Sequence, residues 1–249
     1  MKYYRLTIGA IALFLVASNV SYSQKKTVAL VSFYCDRFIE HGGPNMASFL
    51  NDPKYDLKPL VEKAYNQFVK DYAKNFPFTI APHSELLAVP EYSLFKTRFL
   101  ADSAKASKTL NKILGMNQYV LPKGFVLAYG RSSETIKKEN FDPYILAQLL
   151  GKFDGVMVVS LDYEFREKAM GFACGMLAYM TIGLFDKDGN KVFMIREFST
   201  SKGKVPAVGG VPILKTEKVV PLCQDATNVL FSELKGKLPK IIKKTAKKF

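Results

Sequence analysis

The sequence is poor in the residues that build catalytic and metal sites. It has two histidines, three cysteines and no tryptophan among 249 residues. No C-x-x-C or H-x-x-x-H spacing occurs, so the usual zinc sites have no ligand set. No G-x-G-x-x-G or G-x-x-x-x-G-K-[ST] motif occurs either, which leaves a nucleotide-binding fold without support. We therefore expect neither a metal ion nor an organic cofactor.

The cysteines are too few for a disulfide-stabilised scaffold. They are Cys35, Cys174 and Cys223, and their odd number leaves at least one unpaired within the chain. Two of the three lie in apolar, strand-like segments. The pattern favours fully buried free thiols, with a single internal disulfide as the alternative.

Long apolar runs are also absent, and the longest one near the start has the features of a signal peptide. Lys2 and Arg5 precede an apolar run, and Ser21 and Ser23 form a small-x-small site before Gln24. The run is shorter than the roughly 20 residues that span a bilayer. We predict that residues 1–23 are removed and that the mature protein is periplasmic or secreted. No cysteine follows the cut, so a lipid anchor there is not expected.

Acidic residues are scarce relative to basic ones. The chain has 22 Asp and Glu against 36 Lys and Arg, and +12 of the formal charge of +14 remains after residues 1–23 are removed. In an exported protein this excess indicates an anionic partner such as lipid headgroups, glycans or cell-wall polymers rather than nucleic acid. The alternative is that the lysines serve only solubility.

The basic excess is densest at the carboxyl end, where residues 235–249 contain seven lysines and no acid. We divide the mature chain into a single domain over residues 24–239 and a basic tail over residues 240–249. The predicted partner-binding residues are Lys240, Lys243, Lys244, Lys247 and Lys248. We expect this tail to dock on an anionic surface and its removal to leave stability nearly unchanged; a frayed, solvated end is the alternative.

The hydrophobic pattern centres on residues 140–165. Asp142 is a candidate N-cap, Pro143 suits the first turn, and Gly151 is a candidate helix terminator before an apolar strand that begins near Val156. The continuous apolar run predicts a strand covered on both faces, and the alternation beyond Ser160 predicts one face in water.

Other segments complete a layered fold. Strands are predicted at 27–33 and 78–81, a helix capped by Asp56 over 57–76, and an antiparallel hairpin around 186–191. Residues 199–220 are expected to be a loop, and a last helix is expected over about 224–234. The fold class is α/β with an α+β tendency: a single layered domain whose mixed sheet is backed by helices and includes a C-terminal antiparallel hairpin.

Several stretches together resemble a known domain. They are VALVSF, FTIAP with SEL after it, LLGKFDGVMVVSLDYEF and DKDGNKV. This order of parts resembles the periplasmic domain shared by the curli secretion protein CsgG, the lipoprotein LpoB and the amino-terminal domain of TolB. The likeness covers residues 27–200 except for about 95–140. It implies a mixed sheet with helices and a non-catalytic binding or assembly role at the envelope, although the lipid-bearing cysteine of CsgG and LpoB is absent.

Two local clusters could in principle support catalysis. Cys35 lies near Asp36 and His41, and His83 precedes Ser84 and Glu85, where helix capping is the simpler explanation. We predict no catalytic residue. The leading hypothesis is a secreted, non-enzymatic envelope protein that binds a protein or an anionic polymer. The alternatives are a hydrolase that uses Cys35 or His83, and an oligomeric secretion or pore subunit with residues 171–185 in a membrane hairpin.

Overall fold

The computed structural model describes residues 25–42, 45–97, 118–130 and 138–249. The expected signal peptide lies outside the described residues, and so do residues 103–114, for which the sequence pattern predicts a helix. The strands are β1 (Thr27–Asp36), β2 (Thr79–Ile80), β3 (Tyr119–Val120), β4 (Gly155–Lys168), β5 (Ala173–Asp186), β6 (Lys191–Thr200), β7 (Val205–Val208) and β8 (Val211–Pro212). The helices are α1 (Asn45–Asn51), α2 (Lys58–Gln67), α3 (His83–Leu87), α4 (Pro90–Ser93), α5 (Asp142–Leu149) and α6 (Val219–Lys248).

These strands form one mixed sheet in the described part of the chain. β1 lies between β2 and β4 and is parallel to both, because a helical crossover separates each pair in sequence. β4, β5 and β6 are antiparallel neighbours joined by short turns. β3 pairs with the end of β1, and β7 pairs with the start of β5. The predicted α/β class, the single layered domain and the antiparallel hairpin are confirmed.

Helices cover both faces of the sheet at the amino end of β4. On one face Met157 and Val159 pack in a large cluster with α2 and α6. On the other face Val156 and Val158 pack against α5, in which Leu146 and Ala147 are buried. Beyond Ser160 the burial alternates along β4, as the sequence pattern predicted.

The first and last residues of α5 differ from the prediction. Asp142 begins the helix but is buried, and its carboxylate accepts hydrogen bonds from the Tyr129 N–H at 2.8 Å and from the Thr97 hydroxyl. Its oxygens therefore join two segments instead of capping the helix. Gly151 follows the C-cap residue Leu150 but does not adopt the left-handed conformation expected of a helix terminator.

The last helix is much longer than predicted. α6 has 30 residues and contains Pro239, so it is about 45 Å long at 1.5 Å per residue. The 14 residues of β4 span a similar length at about 3.3 Å per residue. α6 packs mainly on β5 and β6, and this packing outweighs the breaking tendency of Gly236 and Pro239. The predicted loop at 199–220 contains β7, β8 and the start of α6.

Candidate binding surface

The turn between β4 and β5 presents apolar side chains to solvent. Lys168 and Ala173 are the last pair of the ladder, and Ala169, Met170 and Gly171 between them all have positive φ, at 52°, 53° and 87°. Left-handed backbone costs a non-glycine residue roughly 1–2 kcal/mol. The turn therefore holds strained backbone, and it leaves Met170 93% and Phe172 77% exposed.

A second hairpin lies beside this turn. Val208 and Val211 are paired across Gly209 and Gly210, whose φ values of 57° and 80° define a type I′ turn. Val208 is 69% exposed, and Ile213, which follows β8, is 57% exposed. Sequence reasoning missed this hairpin, although a Gly-Gly pair between two valines is a recognised signal for one.

Backbone hydrogen bonds join the two hairpins. Ala207 N–H donates to the Phe172 carbonyl at 3.0 Å, and Gly210 N–H donates to the Gly171 carbonyl at 3.4 Å. The five exposed apolar residues of these hairpins, which we call the tip surface, are Met170, Phe172, Val208, Val211 and Ile213. Ten large apolar side chains are exposed in the described part of the chain, and half of them belong to the tip surface.

A cleft of about 680 Å³ adjoins the tip surface. It is lined by His41, Glu164, Phe165, Arg166, Glu167, Gly209, Gly210 and Val211. His41 Nδ1 lies 3.3 Å from Glu164 Oε1, and the Tyr179 hydroxyl donates to the other oxygen of Glu164. Burial, together with the hydrogen bond and charge of Glu164, raises the pKa of Tyr179 to about 12. Tyr179 is therefore a hydrogen-bond donor at neutral pH rather than a base.

The cysteines are free and buried, which confirms the prediction of buried thiols. Burial raises the pKa of Cys35, and the charges of Asp162, Cys223 and Asp36 raise it further. A nucleophilic cysteine needs a lowered pKa and access to substrate. Cys35 has neither property, and His41, its proposed base, interacts with Glu164 instead.

The second candidate catalytic cluster also lacks the required arrangement. The ring of His83 stacks on Phe125 with centroids 4.1 Å apart, and burial lowers its pKa although the Gly124 backbone opposes this shift. Ser84 and Glu85 are exposed on the first turn of α3. The ring of His83 thus packs as an aromatic side chain, and α3 begins one residue earlier than the predicted Ser84 cap.

No cluster of three or more His, Cys, Asp or Glu side chains within the described ranges has the geometry to hold a metal ion. In the acidic hairpin at 186–191, the carboxylate of Asp186 binds backbone N–H groups of the turn. Asp186 Oδ1 accepts hydrogen bonds from the Asp188 and Asn190 N–H groups at 2.9 and 2.8 Å. These carboxylates shape a turn, as the hairpin interpretation predicted.

The predicted basic tail is the last part of α6. Lys243 is exposed, whereas the side chains of Lys240, Lys244, Lys247 and Lys248 lie outside the described residues. Thr245 is 2% exposed, and the ring of Phe249 packs on Phe78 with centroids 5.8 Å apart. The tail therefore contacts the domain, while the predicted role of its lysines in binding stays a prediction.

Phe249 also contacts the amino ends of the strands. The Lys26 ammonium lies 4.4 Å from its ring centroid and donates to its carbonyl oxygen, and the ring lies against Gly155. Residues 171–185, considered for a membrane hairpin, are largely buried in β5. None of the described helices has both the length and the apolar character required to cross a bilayer.

Comparisons with known proteins identify no family. No protein-family model matches the sequence, and no curated protein is similar to it. The chain is similar in structure to the hypothetical protein CT253 from Chlamydia trachomatis, with a TM-score of 0.33 and 10% sequence identity, over 86% of this chain and 98% of that chain. At that TM-score the likeness carries no argument about function.

Proposed function

We propose that this chain is an exported, non-enzymatic envelope protein that binds a macromolecular partner through its tip surface. The observation that carries the proposal is the exposure of five large apolar side chains on two adjoining turns. Contiguous apolar patches on soluble domains are usually binding sites. The left-handed conformations of Ala169 and Met170 add support, because strained backbone concentrates at functional positions.

The state of the candidate catalytic groups favours binding over catalysis. The thiol of Cys35 is buried with a raised pKa, and the imidazole of His83 is stacked on Phe125. Tyr179 keeps its proton near neutral pH. A hydrolase that uses Cys35 or His83 would need each group to be exposed and paired with a base, so this alternative has the weaker support.

The partner is an envelope protein or an anionic surface, as the basic composition indicates. The export signal, the envelope location and the resemblance to the CsgG, LpoB and TolB domains are parts of this proposal. They agree with a binding role, which requires no catalytic residue. The tail ends at Phe249 beside Gly155, at the other end of β4 from the tip surface, so the contact predicted for its lysines is an alternative to binding by the tip surface.

A second candidate is an oligomeric assembly subunit, and the outer edge of the sheet favours it. β6 has ten residues and pairs with β5 alone among the described strands. An edge strand of this length is a template for pairing with another chain. The molar mass in solution separates this candidate from the first, because a ring of subunits cannot have the mass of a monomer.

Binding of the purified mature chain to an envelope fraction tests the leading proposal. We expect wild-type protein and Leu94→Ser to sediment with the fraction, since Leu94 is also 77% exposed but lies outside the tip surface. We expect the double variant Met170→Ser with Phe172→Ser to stay in the supernatant. Equal sedimentation of all three would contradict the proposal, and protease treatment of the fraction separates protein partners from lipid and polymer.

A further inference from the structure

We infer that the tip surface inserts into the interface of an anionic lipid bilayer. This inference rests on the proposed function and names the partner of the same surface. Three features of the tip surface carry it: its position on two turns, its charge pattern and its side-chain composition.

The exposed apolar side chains lie on and beside two adjoining turns. Met170 lies at the first turn and Val208 immediately before the second, and the two hairpins are joined by the Ala207 to Phe172 hydrogen bond. Two backbone N–H groups are bonded within the tip: Gly210 N–H donates to the Gly171 carbonyl of the other hairpin, and Phe172 N–H donates to the Ala169 carbonyl at 3.1 Å. The apolar side chains would therefore enter the bilayer interface first. The two N–H groups are already hydrogen-bonded, which lowers the free-energy cost of removing them from water.

The charges around the tip surface match an anionic membrane. Residues 198–216 contain no acid, and Lys202, Lys204 and Lys215 within them are exposed. Arg166 and Glu167 are both exposed on the other hairpin, and the Glu167 carboxylate lies close to Gly171 and Gly210, so four exposed basic residues surround one exposed acid at the two turns. Apolar residues flanked by lysine are typical of segments that bind at the surface of anionic bilayers.

The side-chain composition suits contact with lipid. The tip surface consists of Met, Phe, Val and Ile side chains. Protein interfaces derive most of their affinity from Trp, Tyr and Arg, which combine apolar area with hydrogen bonds. Aliphatic and phenyl groups without such polar atoms suit an acyl-chain boundary, which offers no hydrogen-bond partners.

The absence of tryptophan makes the test direct, because a single introduced indole reports on one position. We would compare Phe172→Trp with Leu94→Trp as the matched control, since both native side chains are 77% exposed. Vesicles of phosphatidylglycerol and phosphatidylcholine, and vesicles of phosphatidylcholine alone, are added to the mature chain. The inference predicts a blue shift for Phe172→Trp with the anionic vesicles, quenching by brominated acyl chains, and no change for Leu94→Trp.

Two sets of variants separate the apolar and electrostatic contributions. Met170→Ser with Phe172→Ser should lower the vesicle partition coefficient about tenfold or more, because two apolar side chains no longer leave water. Lys202→Gln with Lys204→Gln should weaken partition at low salt and reduce its dependence on ionic strength. Leu94→Ser should partition like the wild-type protein.

The other outcomes overturn the inference in distinguishable ways. The spectrum of Phe172→Trp could stay unchanged with anionic vesicles while the variant Met170→Ser with Phe172→Ser still fails to bind the envelope fraction. That result would keep the proposed function and exclude lipid as the partner. A blue shift that follows protein concentration without vesicles would identify a second copy of the chain. Equal shifts with neutral and anionic vesicles would overturn the role of the lysines.

Discussion

The two ends of β4 differ in how their apolar residues are used. At the amino end Val156 and Val158 are covered on one face by α5, and Phe249 closes the end against Gly155. At the carboxyl end the strand leads into a strained turn that leaves Met170 93% exposed. The same kind of side chain is thus buried at one end and presented to solvent at the other.

The residues at the amino end of β4 therefore contribute to stability, whereas those beyond its carboxyl end are proposed to contribute to binding. Burial of apolar area stabilises the fold, at about 25 cal/mol for each Å² removed from water. Side chains at the tip surface contribute little of this energy in the isolated protein, and the proposed partner would remove them from water. Substitutions at the two ends should accordingly change different measured quantities.

We call the amino end of β4, which Phe249 covers, the closed end and its carboxyl end the open end. The largest effect is expected from a charge at the closed end. Val158→Asp should prevent folding, because Val158 is 3% exposed and an unpaired carboxylate there costs several kcal/mol against a typical net stability of about 5–15 kcal/mol. Val208→Asp at the open end should fold and melt like wild type but bind vesicles poorly. Circular dichroism melting of both variants checks the comparison, and a normal melt for Val158→Asp would remove β4 from the core.

Loss of the terminal aromatic contact should have the next largest effect. Phe249→Ala removes the ring that packs on Phe78 and Lys26, and we expect it to lower the free energy of unfolding by about 1–3 kcal/mol for a half-buried ring. Deletion of residues 240–249 should cost at least as much, in contrast to the sequence-based expectation. Urea denaturation measures both, with exposed Lys243→Ala as the control, and equal midpoints would show that the tail does not support the closed end.

A smaller and opposite effect is expected at the turn of the open end. Ala169→Gly should raise the free energy of unfolding by about 1 kcal/mol, because glycine accepts a φ of 52° without the penalty of a Cβ. Urea denaturation measures this gain, and vesicle binding should persist because Met170 and Phe172 are unchanged. A destabilised Ala169→Gly variant would mean that the turn holds no strain.

The smallest expected effect concerns pH at the closed end. Burial lowers the pKa of His83 in the folded protein, so the unfolded chain takes up the proton more readily. The contribution of His83 to stability is therefore complete above the ordinary histidine pKa of about 6.5 and is lost as the pH falls below that value. His83→Phe keeps the stacking on Phe125 without titrating. Its melting temperature should fall less than that of wild type between pH 7.5 and 5, and parallel curves would contradict the shift.

Local patterns predicted the elements of the sheet but not the long-range packing. The alternation in β4 and the Asp-rich turn before β6 depend on neighbours in sequence, so the strands and the hairpin could be predicted. Pro239 indicated a helix end, yet contacts made by Thr245 and Phe249 with distant residues keep α6 continuous. Likewise Asp142 has the sequence position of a cap, but its oxygens bond to Tyr129 and Thr97.

The tip surface was beyond sequence reasoning for the same reason. An apolar residue such as Val208 or Ile213 in a glycine-rich segment gives no sign of whether it is buried. Its exposure follows from the pairing of β7 with the start of β5, which joins residues about 30 positions apart in the chain. The lysines of the tail were identifiable from sequence because charge density needs no knowledge of the fold.

Hydrogen exchange of the mature chain with and without anionic vesicles tests most directly whether binding belongs to the carboxyl end of β4 and stability to its amino end. We predict that vesicles slow amide exchange at residues 169–173 and 206–213. The exchange rates of residues 240–249 and of the amino half of β4 should not change. Slower exchange at 240–249 with no change at the two turns would contradict it, because binding would then belong to the tail rather than to the tip surface.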